Sequence, residues 1–216
     1  MPQDGTGPST CDDHTRANRS TYDTIAPLYA RNQVRLRSQG PPSFGTLRSA
    51  FRASLPEVGL IADIGCGPAY DAADFARLGL QVMGLDLSAG MLANADRTLM
   101  RRLAQADMRA LPLATGRLAG LWCVAALLHV EERRTVDVLR EFRRVLRPGG
   151  ALALVTASGE SQGWETVAYA PLEQRWFVYR RPERLREELG TVGFEIVSED
   201  RVELGRLWWT CLAKAA

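Results

Sequence analysis

The sequence predicts an α/β fold, a doubly wound seven-stranded sheet, mostly parallel with the last strand antiparallel, with helices on both faces. Three observations carry this. Short apolar runs at Leu60–Ile64, Leu80–Leu85 and Leu118–Leu128 alternate with stretches whose apolar residues recur at helical spacing. The run Leu118–Leu128 is almost wholly apolar, as expected of a central parallel strand covered on both faces. The first run, ending Ala62-Asp63-Ile64, passes directly into Gly65-Cys66-Gly67 and then a helical pattern. Strand, tight turn and helix start is how such folds seat a ligand at the carboxyl edge of the sheet.

The bulk numbers fit one soluble domain. A chain of 216 residues, 46% hydrophobic and 24% charged, can bury one sizeable core. A net charge of +2 gives no field that would mark a nucleic-acid binder. Lys214 is the single lysine among 27 basic residues, a bias of composition rather than of function. Cys11, Cys66, Cys123 and Cys211 are too widely spaced for a disulfide framework or a zinc knuckle. Cys66 and Cys123 read as small core residues. With no signal peptide and no apolar run of membrane-spanning length, a cytoplasmic protein without membrane contact is expected.

In chain order, residues 1–20 are polar and aperiodic and read as a disordered tail, with His14 solvated. Residues 21–216 then form a single domain, opened by a helical cap over 21–56. In the cap, Tyr22, Ile25 and Tyr29 recur at helical spacing, and Pro27 is expected to split the stretch into two short helices. The cap either packs passively on the domain or acts as a lid whose tyrosines reach the ligand. A helix over Arg31–Arg37, a Gly40-Pro41-Pro42 break and a helix from Ser43 to Leu55 complete it.

After the glycine turn, Asp71–Leu78 is helical and Gly79 ends it; the strand Leu80–Leu85 leads to Asp86. Ser88 can cap the next helix, which carries Met91, Leu92 and Ala95. A short strand at Leu103–Ala106 leads to Asp107-Met108, and His129 stands just beyond the central run. Glu131–Leu146 is an amphipathic helix whose arginines form a solvated face. Pro148-Gly149-Gly150 turns into the strand Ala151–Val155. Residues 157–181 form an insertion bearing Trp164, Trp176, Phe177 and Tyr179, placed to wall an acceptor pocket or to pack in the core. A helix over Pro182–Leu189 and two strands, Phe194–Glu199 and Arg206–Ala213, finish the chain.

The residues around the glycine turn narrow the ligand. A dinucleotide fingerprint would place a third glycine at position 70, where Tyr70 stands. Asp86, at a strand end, identifies a ribose. With Asp63 and Asp107 it gives an acidic sheet edge that would repel a pyrophosphate and attract a cationic nucleoside. S-adenosylmethionine, with its sulfonium and amino groups, fits that description.

At this point the chain resembles the class I S-adenosylmethionine-dependent methyltransferases, of the Rossmann-like small-molecule type. The matching stretches are Asp63-Ile64-Gly65-Cys66-Gly67, Gly84-Leu85-Asp86-Leu87-Ser88 with Met91-Leu92, Ala106-Asp107-Met108, Leu127-Leu128-His129-Val130, and Phe142 to Gly150. They run in the family's order from about Leu60 to Val155. The Tyr22–Ala30 stretch and Gly193-Phe194-Glu195-Ile196-Val197 match as well. The resemblance implies that Gly65 and Gly67, with Cys66 between them, approach the methionine moiety and that Asp63 holds its amino group. It further implies that Asp86 takes the ribose hydroxyls, Leu87 flanks the adenine, Asp107 and Met108 meet its amine edge, and Met91 belongs to the same cofactor site. Ala125 would lie beside the methionine portion, with Tyr22 and Tyr29 closing over it. Ala69 stands where the family often has a third glycine.

Methyl transfer from a sulfonium is an in-line displacement, so the protein must chiefly align the groups and exclude water. His129 is the candidate general base for a hydroxyl or protonated amine, although histidine is common at this position across acceptors and a structural or gating role is the favoured reading. No metal-ligand pattern appears, so metal independence is expected. The implied function is methyl transfer from S-adenosylmethionine to an oxygen, nitrogen or carbon of a small molecule, leaving S-adenosylhomocysteine, by a monomer or homodimer. Alternatives are a tRNA methyltransferase, which the near-neutral charge argues against, and a non-catalytic S-adenosylmethionine-binding protein.

Overall fold

The computed structural model describes residues 10–38 and 44–216, with side chains from position 14 in the first segment. The helices are α1 (Thr10–Ser38), α2 (Gly45–Ser54), α3 (Tyr70–Arg77), α4 (Ala89–Ala93), α5 (Thr135–Val145) and α6 (Pro182–Thr191). The strands are β1 (Leu60–Ile64), β2 (Gln81–Asp86), β3 (Leu103–Gln105), β4 (Leu118–Val124), β5 (Leu146–Ala157), β6 (Gln162–Val167), β7 (Ala170–Val178), β8 (Phe194–Glu203) and β9 (Leu207–Ala215). Seven of them form one sheet in the order β3-β2-β1-β4-β5-β9-β8, while β6 and β7 make a separate hairpin. The first five are mutually parallel, and β9 runs antiparallel to both β5 and β8.

The chain leaves β1 in one direction and returns through β4 in the other. The carboxyl ends of these two neighbours therefore diverge into a crevice, the usual ligand position in open α/β sheets. Alternation along the strands fills both faces. Ala62, Ile64, Leu121, Cys123, Leu152 and Leu154 pack with α5 and α6, against Phe142, Val145 and Leu189. Ile61, Trp122, Ala151, Ala153 and Val155 pack on the other face with Phe51 of α2 and Phe75 of α3. Trp122 is fully buried, and its indole N–H donates to Asp71 at 2.9 Å. Asp71 also accepts from Arg48 at 2.6 Å and Arg37 at 3.2 Å, which ties α1 and α2 to α3.

Two expectations change at the amino terminus. Residues 10–20 are helical, continuous with the cap, rather than part of a disordered tail. Polar contacts with the hairpin hold this turnless start, which is why no apolar period marked it. Residues 1–9 and the Gly40-Pro41-Pro42 break lie outside the described residues. Pro27 does not split α1. Its missing N–H leaves the Asp23 carbonyl without its helical partner. That carbonyl lies against Gly90 of α4, where an added Cβ would sit 2.8 Å from it. Two further Asp23 contacts hold the helix there: its Oδ1 accepts from the Ser88 hydroxyl at 2.6 Å and the Gly90 N–H at 2.8 Å. Among the described residues no helix is long and apolar enough to cross a membrane.

Candidate active site

A cleft of about 880 Å³, open mouth included, runs along the carboxyl ends of β1, β2 and β4 under α1. Its floor is the turn after β1. Gly65 and Gly67 both have positive φ, 68° and 54°. At Gly65 an added Cβ would sit 2.2 Å from the Ala126 Cβ, so this glycine serves the contact between two chain crossings. At Gly67 the added atom would meet only Tyr29, at 3.7 Å, so this one leaves room at the cleft. Ala69 stands in the left-handed region at φ 59° and is fully buried, a strained position for a residue with a side chain. Ala125, at the end of β4, has φ 53°.

Asp86 closes β2. Its Oδ2 accepts the Gly67 N–H at 2.7 Å and its Oδ1 the Ser88 N–H at 2.8 Å. Each oxygen keeps capacity for one further donor from the cleft. Burial raises its pKa, and the two amides oppose that rise. Leu87 and Met91 lie beside it along the cleft, and Met91 also packs under Ile25 and Ala26 of α1. At the far end are Asp107 and Met108. Asp107 is partly buried, which alone would raise its pKa, yet bidentate contact with Arg109, Nη2 to Oδ2 at 2.6 Å and Nε to Oδ1 at 3.0 Å, holds it below the ordinary carboxylate range.

The three acids do not form a common charged edge. Asp107 is neutralised by Arg109. Asp63 is only 4% exposed, and its Oδ2 accepts the Ala72 N–H at 3.1 Å, capping α3 from below. Burial and then the Asp71 charge push the Asp63 pKa well up. Asp63 and Cys66 line a second cavity instead, with Gln33, Arg37 and Tyr70. The two cavities share Tyr29, Gly65, Val124 and Ala125, so Asp63 faces one end of a continuous site and Asp86 the other. The alternation of β1 explains this: Asp63 shares the face of Ile61, the side on which α3 packs.

The roof comes from one face of α1. Asn18, Tyr22, Ile25 and Tyr29 follow one another at helical spacing and look onto the sheet edge or the hairpin. Tyr22 donates its hydroxyl proton to His129 Nε2 at 2.6 Å. The other ring nitrogen, Nδ1, lies 2.9 Å from the Trp176 carbonyl, an acceptor only, so Nδ1 carries the proton. Burial pushes the imidazole pKa down to about 3, with Arg175, Arg180 and Arg206 adding to the fall against the Trp176 hydrogen bond. His129 is thus neutral, with both nitrogens engaged. Arg175 Nη1 donates in turn to the Tyr22 oxygen at 3.2 Å.

Sequence reading missed Asn18, Asp23, Tyr169 and Arg175. Asn18 binds the Trp176 backbone reciprocally, Nδ2 to its carbonyl at 3.1 Å and its N–H to Oδ1 at 2.6 Å. The available signal was position: Asn18 precedes Tyr22 by one helical turn, legible only if the helix starts early enough. His14 is not simply solvated; Nδ1 lies 3.0 Å from Glu131 and the ring stacks on Trp176 at 3.9 Å.

Residues 61–150 match the family model described as a methyltransferase domain. The matched stretch takes in the glycine turn, Asp86, Asp107 and His129, so the part of the chain that builds the cleft is similar to methyltransferase domains. Among curated proteins it is similar to a malonyl-[acyl-carrier protein] O-methyltransferase of Enterobacter lignolyticus, 31% identical over 170 residues, covering 74% of this chain and 63% of that protein. It is also similar to the O-methyltransferase resE of Aspergillus sclerotiorum, 27% identical, covering 74% of this chain and 67% of that protein. The chain spans less than two thirds of the length of the first curated relatives it matches. In fold it resembles the 1,6-didemethyltoxoflavin-N1-methyltransferase of Burkholderia thailandensis, solved with bound 1,6-didemethyltoxoflavin and S-adenosylhomocysteine. The TM-score is 0.73 at 18% identity, covering 100% of this chain and 94% of that one.

Proposed function

We propose that this chain transfers a methyl group from S-adenosylmethionine to an oxygen, nitrogen or carbon nucleophile of a small molecule. The observation that carries the reading is Asp86: a carboxylate fixed by two backbone amides beside Gly67, with free acceptor capacity toward the cleft, suits a ribose diol. Asp107 and Met108 stand where the adenine edge would fall, and Asp63, Gln33 and Arg37 at the opposite end suit an amino acid's charged groups. The donor supplies an already activated methyl, so the protein's work is alignment and exclusion of water.

Tyr22 and Tyr29 cover the donor site from α1, and the hairpin of residues 157–181 walls the acceptor side. His129 orients Tyr22 and acts as a positioning residue, because its only free lone pair already accepts the tyrosine proton. The same reading takes 21–216 as one domain acting in the cytoplasm as a monomer or homodimer, which light scattering on the purified protein measures. Incubation with methyl-labelled S-adenosylmethionine and a panel of small acceptors tests the function. Acceptor-dependent label transfer is expected, and binding of the donor without transfer to anything would favour a non-catalytic binding protein.

A further inference from the structure

The two halves of α1 are held by different parts of the fold. After Pro27 the helix is anchored on α3: the Tyr70 hydroxyl donates to the Ala30 carbonyl at 3.1 Å, and Arg37 donates to Asp71 at 3.2 Å. Before Pro27 it covers the cleft, which Thr15, Asn18, Arg19 and Tyr22 line. Its polar contacts there reach the hairpin through Asn18 and Thr21, and α4 through Asp23. Pro27 lies between the halves and withholds the hydrogen bond that the Asp23 carbonyl would otherwise accept. A helix bends most readily where its backbone ladder is interrupted in this way.

Asp23 stands at the joint. Its Oδ1 accepts from the Ser88 hydroxyl at 2.6 Å and the Gly90 N–H at 2.8 Å, while its Oδ2 pairs with Arg19 at 3.7 Å on the solvent side. Ser88 is buried, and its own N–H donates to Asp86 Oδ1 at 2.8 Å. One short turn thus carries the ribose-binding acid at its start and the contact with the roof at its end. Gly90 lets the helix come this close, since an added Cβ would lie 2.8 Å from both the Cα and the carbonyl oxygen of Asp23. Two carboxylates therefore lean on the same serine, and the Asp23 charge adds to the rise in the Asp86 pKa. Ribose hydroxyls donating to Asp86, with a sulfonium cation nearby, would offset that repulsion.

We propose that the part of α1 before Pro27 is a flap hinged at that proline, and that Asp23 is a positioning residue that latches the flap to the turn carrying Asp86 when the donor's ribose is bound. The inference rests on the reading of the cleft as an S-adenosyl site and adds how that site closes. Tyr22 directly precedes Asp23, so seating the carboxylate also sets the hydroxyl that meets His129 at 2.6 Å. A closed flap shields the sulfonium from water, and an open one lets donor and product pass. The coupling is reciprocal: if the donor favours the latched flap, the latch must tighten the donor by the same factor.

The test uses the full chain with S-adenosylhomocysteine as the probe. Calorimetry gives its affinity, and hydrogen exchange read by mass spectrometry compares residues 14–26 with 28–38 in the free and bound protein. Binding should slow exchange over 14–26 by about 10-fold or more and leave 28–38 little changed. Asp23→Ala should weaken S-adenosylhomocysteine by about 5- to 30-fold, within the usual range of a coupling between sites. It should also abolish the added protection of 14–26 while the stretch holding Gly67 and Asp86 is still protected. Asp23→Asn, which keeps an acceptor in place, should recover part of both. Gly90→Ala should act like Asp23→Ala with every latch side chain intact, because alanine suits a helix better than glycine and the flap is what meets the new methyl. Pro27→Ala should instead slow exchange over 14–26 in the free protein, a gain that a damaged fold could not give. A parent that binds no S-adenosylhomocysteine overturns the underlying reading and this inference together. A parent that binds it with equal protection of both halves of α1, or an Asp23→Ala variant that keeps the parent's affinity and protection, overturns the flap alone.

Discussion

The Tyr22 hydroxyl lies 2.6 Å from His129 Nε2, and because Nδ1 gives its proton to the Trp176 carbonyl, the tyrosine must be the donor. A residue of the roof is thereby locked to the end of the central strand. Tyr22→Phe leaves Nε2 buried without a partner, at a cost of about 1–3 kcal/mol. Urea denaturation should register that loss, and kcat should fall as the roof loses its register. A variant as stable and active as the parent would show that the bond carries nothing.

The depressed pKa of His129 has a consequence for acid stability. Its pKa falls from 6.5 to about 3 in the folded protein. Between those values the unfolded chain binds the extra proton, so the contribution is fully present above pH 6.5 and lost as pH falls toward 3. From pH 7 to pH 5 this amounts to about 2 kcal/mol, at roughly 1.4 kcal/mol per unit below the unfolded value. His129→Asn removes the titrating group. Its stability difference from the parent, measured in urea at both pH values, should shrink at pH 5. An unchanged difference would contradict the neutral, locked imidazole.

Asn18 joins α1 to the hairpin through two reciprocal bonds with the Trp176 backbone and is 4% exposed. Asn18→Ala leaves the Trp176 N–H unsatisfied, worth about 1–3 kcal/mol. Limited proteolysis should then cut the amino-terminal half of α1 before the sheet core opens, and equal protection in parent and variant would count against the clamp.

How far the sequence carried is visible in these residues. The alternation of apolar runs with helical stretches located every strand of the seven-stranded sheet, most firmly the central β4 and β5, which are covered on both faces. The site floor was legible as well: Gly67, Asp86, Asp107 and Met108 line one cleft, as their strand-end positions implied. What stayed hidden depends on contacts distant in sequence. Residues 10–20 carry no apolar period, and it is Asn18, Thr21 and His14 reaching across to Gln174, Trp176 and Glu131 that order them. Pro27 signals a break locally, yet the helix runs through it with Asp23 packed on Gly90. The shared acidic edge failed because Arg109, only two residues on, folds back onto Asp107, and because Asp63 lies on the face of β1 that packs on α3.

Ala69 tests the strained turn. Replacing it by Gly relieves about 1 kcal/mol of left-handed strain but forfeits a buried methyl worth about 0.8 kcal/mol and adds chain entropy when unfolded. The terms nearly cancel, so Ala69→Gly should lie within about 1 kcal/mol of the parent, whereas Ala69→Val, β-branched in the same backbone and fully enclosed, should lose about 2 kcal/mol or more. Thermal denaturation of the pair checks this, and a tolerated Val would mean the turn is not held as described.

The central claim is that Asp86 reads the ribose of an S-adenosyl ligand in this cleft. Calorimetric titration of the parent and of Asp86→Ala with S-adenosylhomocysteine tests it most directly. One saturable site is expected, weakened in the variant by about 1.5–3 kcal/mol, the scale of hydrogen bonds to a charged group. No binding by the parent, or equal binding by both, would contradict it.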